Sequence, residues 1–312
     1  MFVIFGAAGN VGRESATALR RAGHQVRAVV RDDRQRGLLA ELGCETAVAD
    51  MLDPAAVARA IEGAHAVQIL CPLPQGHADP AAAMRRTIDA SVEALRANPP
   101  PHVLALSDYG AQLPEGTGIT TLFHYLETQL RTVETRLTFL RAAEHMHNWA
   151  RVLPLALAQH VLPSLHHPLD KLFPTVAAHD VGLAAAALLL EARASQAAPR
   201  IVSIESEERV SALDVARTIG ELSGGPIVAR EVPRDDWAAM LQSAGLGEQH
   251  ARLIIELYDA HNAGRIDVEA DISERRFGAT TLAQVFAGLL SRVRARASAG
   301  AGAGQTASLR QS

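Results

Sequence analysis

Three glycines, Gly6, Gly9 and Gly12, follow an apolar run and carry the clearest chemistry in the sequence. The run, Phe2–Phe5, is typical of a buried strand, and a helical pattern opens directly after the turn. Such a turn lets the backbone approach phosphate groups, while the helix N-terminus supplies free N–H groups and partial positive charge. It therefore predicts a site for a nucleotide pyrophosphate, held by Gly6, Ala8, Gly9, Asn10, Val11 and Gly12.

A basic side chain stands where the second strand of such a site ends. Arg31 lies 19 residues after Gly12. An NAD-preferring site usually has an acidic residue at about this distance, which binds the ribose 2′-hydroxyl. A guanidinium group instead suits a 2′-phosphate. In the adjoining segment, Arg34 and Arg36 are further candidates for the anion site. Two aspartates before them reduce the local positive charge, and a helix-capping role explains one of the two. We therefore predict that NADP(H) is preferred over NAD(H).

Residues that follow the later strands complete the predicted crevice, because ligands of parallel sheets lie beyond the carboxyl ends of the strands. The segment after strand three is expected to flank the adenine, and the segment after strand four to pass beneath the ribose. The segments after strands five and six, residues 107–109 and 142–144, are expected to face the nicotinamide. The predicted contacts are Asp50, Met51, Leu70, Cys71, Pro72, Ser107, Ala142, Ala143 and Glu144.

These positions require a parallel sheet, and the first half of the chain alternates apolar runs with helical patterns. The predicted strands are Phe2–Phe5, Gln25–Val30, Glu45–Val48, Ala66–Leu70, His102–Leu106 and Leu137–Leu140. The predicted helix caps are Asp53 before Pro54, Asp180 before Val181, and a capping box of Ser211 with Asp214. This alternation predicts an α/β fold, a doubly wound parallel Rossmann sheet with a second, smaller α/β domain. We assign residues 1–150 and about 175–206 to the Rossmann domain. Residues 151–174 and 207–297 form the smaller domain, one wall of a substrate cleft, and 298–312 a disordered tail.

The composition of the 312-residue chain excludes several classes of function. The net charge of −4 and scattered arginines oppose direct nucleic-acid binding. The longest apolar run, Val181–Leu190, is too short to span a membrane. Two cysteines, Cys44 and Cys71, are too few for a disulfide framework, and a strand at residue 2 leaves no room for a signal peptide. We therefore expect a cytoplasmic protein.

The chain resembles the NmrA-like family of atypical short-chain dehydrogenases over about residues 2–290. The resemblance rests on Gly6–Gly12, Val30-Arg31, Val48–Asp50, Leu106–Ala111, His124–Glu127, Thr138–Arg141, Asn148-Trp149, Asp180–Gly182 and Thr280–Leu282. It implies NADP(H) at the turn and Arg31, and a small C-terminal domain that closes the cleft. The family contains NADPH-dependent reductases, quinone reductases among them. It also contains redox-sensing regulators that bind the cofactor without evident chemistry.

The Tyr-x-x-x-Lys pair of typical short-chain dehydrogenases is missing. Leu113 follows Tyr109 by four positions, Gln129 follows Tyr125 by four, and Lys171 is the only lysine. The remaining candidates for a catalytic group are His124 and Tyr109, each with packing as an equal alternative.

Histidines and aromatic residues of the second half offer weaker signals. His145 and His147 form a His-x-His pair without a third residue at metal-like spacing, so we predict no metal site and place them, with Asn148, in the cleft wall. The segment Leu162–Pro174, with His166-His167, is a candidate flap. Candidates for stacking against a flat substrate are Trp149, Phe173 and Trp237.

Two functions follow from these residues. The first is an NADPH-dependent oxidoreductase acting on a quinone or other carbonyl acceptor, a small-molecule substrate. The alternative is a non-catalytic NADP(H) sensor that acts through a protein partner. The sequence leaves the oligomeric state open.

Overall fold

A computed structural model of the chain describes residues 1–191 and 198–308, with side chains up to residue 295. The strands are β1 Phe2–Phe5, β2 Val26–Val30, β3 Glu45–Val48, β4 Ala66–Ile69, β5 His102–Asp108, β6 Arg136–Ala142, β7 Glu144–His145, β8 Val161–Ser164, β9 Thr175–Val176, β10 Arg200–Ser206, β11 Val228–Glu231 and β12 Glu274–Gly278. The α-helices are α1 Asn10–Arg21, α2 Arg36–Glu41, α3 Pro54–Ile61, α4 Pro80–Ala97, α5 Thr120–Leu130, α6 Leu153–Gln159, α7 Ala178–Leu190, α8 Ala212–Ser223, α9 Trp237–Ser243, α10 Glu248–Asn262 and α11 Leu282–Ser308.

An eight-stranded sheet forms the centre of the molecule, in the order β12-β10-β6-β5-β4-β1-β2-β3. Every pair in it is parallel. The strand order reverses between β1 and β4, and a crevice opens at the carboxyl ends of the strands at such a switch point. The predicted doubly wound Rossmann sheet is confirmed.

Two apolar cores cover the faces of this sheet. One packs α1, α2 and α7 on it through residues such as Leu19, Leu39 and Val181. The other packs α3, α4 and α5 through residues such as Val57, Met84 and Leu126. Helices on both faces explain why the central strands are apolar on both sides.

A smaller unit lies beyond the carboxyl ends of the strands. Its first core joins α6, α8, β8, β11 and α11, with Leu162, Ile219 and Phe286 at the centre. Its second core packs α9 on α10 through Trp237, Leu241 and Ile254. The parallel pair β8–β11 is its own small sheet. This unit forms a wall over the crevice of the large sheet.

Local capping signals in the sequence correspond to real helix starts. The Asp53 side chain accepts a hydrogen bond from Ala55 N–H at the start of α3, with Pro54 in the first turn. Ser211 and Asp214 form the predicted capping box of α8. These signals were readable because each joins residues within three positions.

The structure differs from the predicted domain limits in two places. Strand β12 lies inside the range assigned to the smaller domain but extends the large sheet beside β10. Its sequence, Glu-Arg-Arg-Phe-Gly, lacks the apolar pattern of a central strand because it is an edge strand. Helix α11 continues to Ser308 through most of the predicted disordered tail, whose frequent alanines favour helix. Residues 309–312 of that tail lie outside the described part of the chain.

Asp180 has a different role from the predicted helix cap. Helix α7 begins at Ala178, and the Asp180 side chain instead accepts hydrogen bonds from the Thr280 backbone N–H (3.0 Å) and hydroxyl (2.9 Å). Two segments 100 residues apart, both part of the family resemblance, thus bind each other at the start of α11. Ser15 on α1 also donates to the Gly182 carbonyl oxygen (3.2 Å), which fixes α7 beside the glycine-rich turn.

Asp180→Ala is expected to lower the free energy of unfolding by about 2–3 kcal/mol, since it removes two hydrogen bonds to a buried carboxylate. Thr280→Val, which keeps the backbone bond, is expected to lose only about 1 kcal/mol. Urea unfolding of both variants measures the difference. An Asp180→Ala protein as stable as the wild type would contradict the structural role of this contact.

Among the helices of residues 1–191 and 198–308, none combines the length and hydrophobicity that a membrane span requires. Both cysteines are free and buried.

Candidate functional site

The glycine-rich turn has a backbone shape that only glycine supports at two of its positions. Gly6 has a φ of +68°, in the left-handed region that other residues avoid. A Cβ on Gly12 would lie 2.4 Å from the Gly6 carbonyl oxygen, so α1 starts against the end of β1. Gly9 caps α1 without a side-chain hydrogen bond, and the first turn of the helix contains no acidic residue. Its N–H groups and partial positive charge thus face an open surface, which suits an anion.

Arg31 follows β2 as an exposed side chain and makes no ion pair or hydrogen bond with another described residue. Each of the two acidic residues that follow it in the sequence forms an ion pair with another arginine. Asp32 accepts from Arg34 Nε (2.8 Å) and caps the short helical turn, while Asp33 pairs with Arg36 (3.1 Å). Arg34 and Arg36, sequence candidates for an anion site, therefore neutralise these two carboxylates. Arg31 alone is left with its charge unpaired in this segment.

The remaining predicted contacts along the crevice differ in accessibility. Asp50 is exposed, and its carboxylate accepts from Leu52 N–H (2.9 Å). Met51 is half-buried against the second core, and Pro72 is exposed. Cys71 is fully buried, and burial raises the pKa of its thiol to about 12. Cys71 therefore offers no exposed surface to the crevice.

A cavity of about 210 Å³ lies where β4, β5 and β6 end, and we call it the strand-end cavity. Six residues predicted from the sequence line it, namely Val11, Leu70, Ser107, Ala142, Ala143 and Glu144. Eight others complete the lining, namely Leu106, Asp108, Phe123, His145, Asn148, Val181, Leu257 and His261. Of these, His145 and Asn148 were predicted for the cleft wall, and Val181, Leu257 and His261 come from helices with no sequence signal for this place.

Asp108, the last residue of β5, is the group in this cavity with the most unusual acidity. Thr120 on α5 donates to its Oδ2 (3.1 Å). Burial, with a smaller contribution from the nearby negative charge of Glu144, raises the pKa of Asp108 to about 7. A carboxyl group with such a pKa is protonated in about half of the molecules at neutral pH. In the sequence, only its position beside Ser107 pointed to Asp108. It lies in the segment 107–109 that was predicted to face the nicotinamide, but Tyr109 was the catalytic candidate from that segment.

The other titratable groups of the strand-end cavity differ from Asp108 in their protonation state at neutral pH. Burial raises the pKa of Glu144, but His166, which contacts it at 2.8 Å, brings the net value below the usual range, so it is a carboxylate. Tyr258 donates to the other oxygen of Glu144 (3.3 Å). Burial lowers the pKa of both His145 and His261 to about 4, so both rings are neutral at pH 7.

Helix α5 presents an apolar ring and an ion-paired carboxylate to this end of the sheet. Phe123 lines the strand-end cavity, and Glu127 is buried one turn later. Glu127 accepts from Ser107 Oγ (2.6 Å) and from Arg141 Nε (2.8 Å) and Nη2 (2.7 Å). This pair has the four-residue spacing of Tyr-x-x-x-Lys with neither a phenol nor an ammonium group. Arg141 is satisfied further by Glu269 (2.5 Å).

Neither catalytic candidate from the sequence lines the cavity. His124 binds the Ala111 carbonyl oxygen through Nδ1 (2.9 Å), because adjacent helical positions differ by about 100° and Phe123 occupies the cavity side. Tyr109 is 2% exposed within the first core, and burial raises the pKa of its phenol above the usual range. The chain turns after Asp108, and the Tyr109 ring fills the core near Ile266, a residue too distant in sequence to be anticipated.

The segment Leu162–Pro174, a candidate flap, is bound to α10 at several points. His166 is buried and stacks on Phe173 with ring centroids 3.7 Å apart. Lys171 donates to the carbonyl oxygens of His261 (2.9 Å) and Asn262 (2.6 Å) at the end of α10. The only lysine of the chain thus caps a helix C-terminus, where positive charge is favourable.

A second cavity of about 480 Å³, which we call the apolar cavity, adjoins the first, since Asn148 and Leu257 line both. Side chains from Leu73, Ile119, Trp149, Val152, Leu155, Leu165, Met240, Leu241, Leu246 and Ile254 make most of its wall. Of the three aromatic residues predicted to stack on a substrate, Trp149 lines it. Phe173 and Trp237 are buried in the cores behind. Within the described residues, no group of three or more His, Cys, Asp or Glu side chains is placed to hold a metal ion.

Comparison with known families identifies the class of nucleotide that this chain binds. A family model described as NAD(P)H-binding matches residues 6–161, half of the chain. The chain belongs to the NAD(P)H-binding family. No curated protein matches the sequence.

Solved structures share the fold of this NAD(P)H-binding protein over nearly its whole length. An NADPH-dependent quinone oxidoreductase from Escherichia coli, complexed with NADPH, has a TM-score of 0.78 at 20% identity, covering 93% of this chain and 100% of its own. The Citrobacter triphenylmethane reductase complexed with NADP(H) has a TM-score of 0.74 at 21% identity, covering 91% and 98%. The leucoanthocyanidin reductase from Vitis vinifera, with NADPH, has 0.72 at 13%, covering 93% and 99%. At these identities the likeness shows the fold alone.

The residues present fit a bound NAD(P)H. The turn at Gly6–Gly12 packs too closely for a Cβ at Gly12, and it leads to the start of α1, which no side chain caps. The carboxyl ends of β4, β5 and β6 border the strand-end cavity on the β4 side of the switch point, in the crevice where this fold binds dinucleotides. The family and this geometry confirm the predicted class of cofactor.

Proposed function

We propose that this chain is an NADPH-dependent oxidoreductase that reduces a quinone or another flat carbonyl acceptor. One observation carries the proposal: an apolar cavity of about 480 Å³ adjoins the strand-end cavity, and Asn148 and Leu257 line both. A flat, apolar acceptor held there meets the end of the crevice in which the nicotinamide belongs. Bound NADPH supplies a hydride. The protein has to position the acceptor, exclude water and provide one proton.

Asp108 is the group that we assign to the proton transfer. Glu144 is a carboxylate, His145 and His261 are neutral rings, and Ser107 already donates to Glu127. Asp108, with a pKa of about 7, is the remaining acid of the cavity lining among the described residues. As the acceptor carbonyl gains a hydride at carbon and its π bond breaks, Asp108 gives its proton to the oxygen. The resulting carboxylate regains a proton from solvent, and general acids of this kind contribute about 100- to 10,000-fold in rate.

Consumption of NADPH with a panel of quinones and aldehydes tests the proposal. We expect turnover with several flat quinones, and with aldehydes only where the carbonyl reaches Asp108. Absence of turnover across the panel, in protein shown to bind NADPH, would reject the oxidoreductase function.

The preference for NADP(H) over NAD(H) belongs to the same proposal and is supported by the unpaired charge of Arg31. Arg31→Ala is expected to weaken NADPH binding about tenfold, because an exposed site loses one charge-assisted contact to the 2′-phosphate. Binding of NADH, which has no 2′-phosphate, is expected to stay unchanged and serves as the internal control. Dissociation constants from cofactor fluorescence measure both. Equal losses for the two cofactors would remove Arg31 from the 2′-phosphate site.

A sensor that binds NADP(H) without turnover and acts through a protein partner is the second candidate. The observation in its favour is the pair Phe123 and Glu127, which puts no phenol or ammonium group at the cavity. A pull-down with NADP⁺ against NADPH tests it, and a partner retained equally in both would reject it.

We further propose that the chain lies within the NmrA-like branch of its family. The contact between Asp180 and Thr280, which joins two segments of the resemblance, supports this assignment. A cytoplasmic location is proposed on the reduced state of Cys44 and Cys71.

A further inference from the structure

The outer end of the apolar cavity opens into a third space of about 340 Å³, which we call the rim pocket. Five residues line both spaces, among them Arg151, His250 and Gln75. His77 adds a second imidazole to the rim pocket. The route into the apolar cavity therefore passes a set of nitrogen-bearing side chains.

Among the described lining residues, no carboxylate offsets the positive charge of Arg151 at the rim pocket. Among the described residues, neither the apolar cavity nor the rim pocket is lined by Asp or Glu. Arg151 is exposed and makes no ion pair or hydrogen bond with another described side chain. Other arginines of the chain do have carboxylate partners, such as Arg141 with Glu127 and Arg209 with Asp267. An unpaired guanidinium at the end of an otherwise apolar cavity is suited to bind an anionic group that is part of the ligand.

One short segment connects Arg151 at the rim pocket with Asn148, which lies where the apolar cavity adjoins the strand-end cavity. The short 3₁₀-helix Met146–Arg151 contains Asn148, at the junction of the two cavities, and Trp149, in the apolar wall. Residues three apart in a 3₁₀-helix lie on the same side, about 6 Å apart along its axis. Asn148 and Arg151 therefore border one side of the cavity at a spacing that one small ring system can span.

We propose that the acceptor is a flat ring system bearing an acidic group, with Arg151 binding the acid at the rim while the ring lies in the apolar cavity. This names the substrate class of the proposed reductase and rests on that function. His250 and Gln75 donate hydrogen bonds to the same group. Burial, and after it the charge of Arg151, lowers the pKa of His250, so Arg151 carries the positive charge at neutral pH. A cationic acceptor would be repelled by Arg151, because no carboxylate among the described lining residues offsets that charge.

The test compares the carboxylic acid and the methyl ester of one naphthoquinone, which share the ring and differ in charge. Calorimetric titration into protein saturated with NADP⁺ measures binding without turnover. Arg151→Met removes the charge and keeps an apolar stem. Arg230→Met is the matched control, an exposed arginine on β11 that lines neither space.

We expect the wild type and Arg230→Met to bind the acid about tenfold more tightly than the ester. Arg151→Met is expected to lose this difference with ester affinity unchanged, and added salt to weaken only the acid. Equal binding of acid and ester by the wild type, binding of neither, or a parallel loss of NADP⁺ affinity in Arg151→Met would overturn the proposal. Failure of NADPH turnover with an intact acid preference would reject the reductase function alone. Equal turnover of acid and ester would reject the acid site alone.

Discussion

Asp108→Asn is expected to lower kcat at least about 100-fold with a carbonyl acceptor, because the amide has the shape of the carboxyl group but no acidic proton. The residue lines the strand-end cavity, and its Oδ2 is already held by Thr120 (3.1 Å). The substitution removes proton transfer and leaves the apolar cavity intact. Quinones are expected to lose less, since a hydroquinone readily takes its proton from water. Steady-state kinetics with both acceptor types measures the contrast.

The pH dependence of the rate distinguishes Asp108 as a proton donor from Asp108 with only a structural role. Asp108 must be protonated to act, and its pKa is about 7. The rate is therefore expected to be maximal below pH 7 and to fall as the pH rises through that value, about tenfold per pH unit. Asp108→Asn is expected to lose this fall together with most of the rate. A ¹³C NMR titration of the aspartate carboxyl groups checks the same pKa without turnover.

The matched control is Asp50→Asn, because Asp50 lies at the other end of the crevice and is expected to affect cofactor binding rather than the proton. NADPH affinity of Asp108→Asn is expected to equal that of the wild type. An Asp108→Asn enzyme with unchanged kcat and an unchanged pH profile would remove Asp108 as the proton donor.

Gly12→Ala is expected to abolish tight NADPH binding and to destabilise the fold by about 1–3 kcal/mol or more. The new methyl group would lie 2.4 Å from the Gly6 carbonyl oxygen and 3.0 Å from the Ala7 Cα, both backbone atoms that cannot rotate away. Either α1 or the end of β1 must shift. A displaced turn loses several N–H contacts to phosphate, and two such contacts correspond to about 100-fold in affinity.

Gly288→Ala in α11 is the matched control, since a Cβ there meets no atom within 4 Å. It is expected to raise stability by up to about 1 kcal/mol, because alanine favours helix more than glycine does. Thermal unfolding and NADPH titration of both variants make the comparison. A Gly12→Ala protein that binds NADPH normally would show that the turn adapts, against the close packing described above.

Much of the fold was predictable because its signals are local. The glycine-rich turn, the alternating strands and helices and the caps at Asp53 and Ser211 each depend on residues a few positions apart. Strand β12 was missed because its charged sequence resembles a loop until β10 lies beside it. Asp180 was misassigned because a capping aspartate and an aspartate that binds a distant threonine look the same in sequence.

The candidate site was predictable only in part. Residues placed by their position after a strand, such as Ser107 and Ala142, do line the strand-end cavity. His124 and Tyr109 do not, because the direction of a side chain after a turn depends on what packs against it. Asp108 has an ordinary sequence context, and its raised pKa results from burial that only the folded chain produces.

The sequence by itself determined the Rossmann sheet, the nucleotide turn and the position of an arginine directly after β2, since these depend on residues close together in the chain. Tertiary structure alone decided which acid lines the strand-end cavity and which side chains line the apolar cavity beside it. Those properties arise where β5, α7, α10 and the segment Met146–Arg151 meet. Burial there raises the pKa of Asp108, and the lack of Asp or Glu among the described lining residues leaves the charge of the exposed Arg151 unpaired.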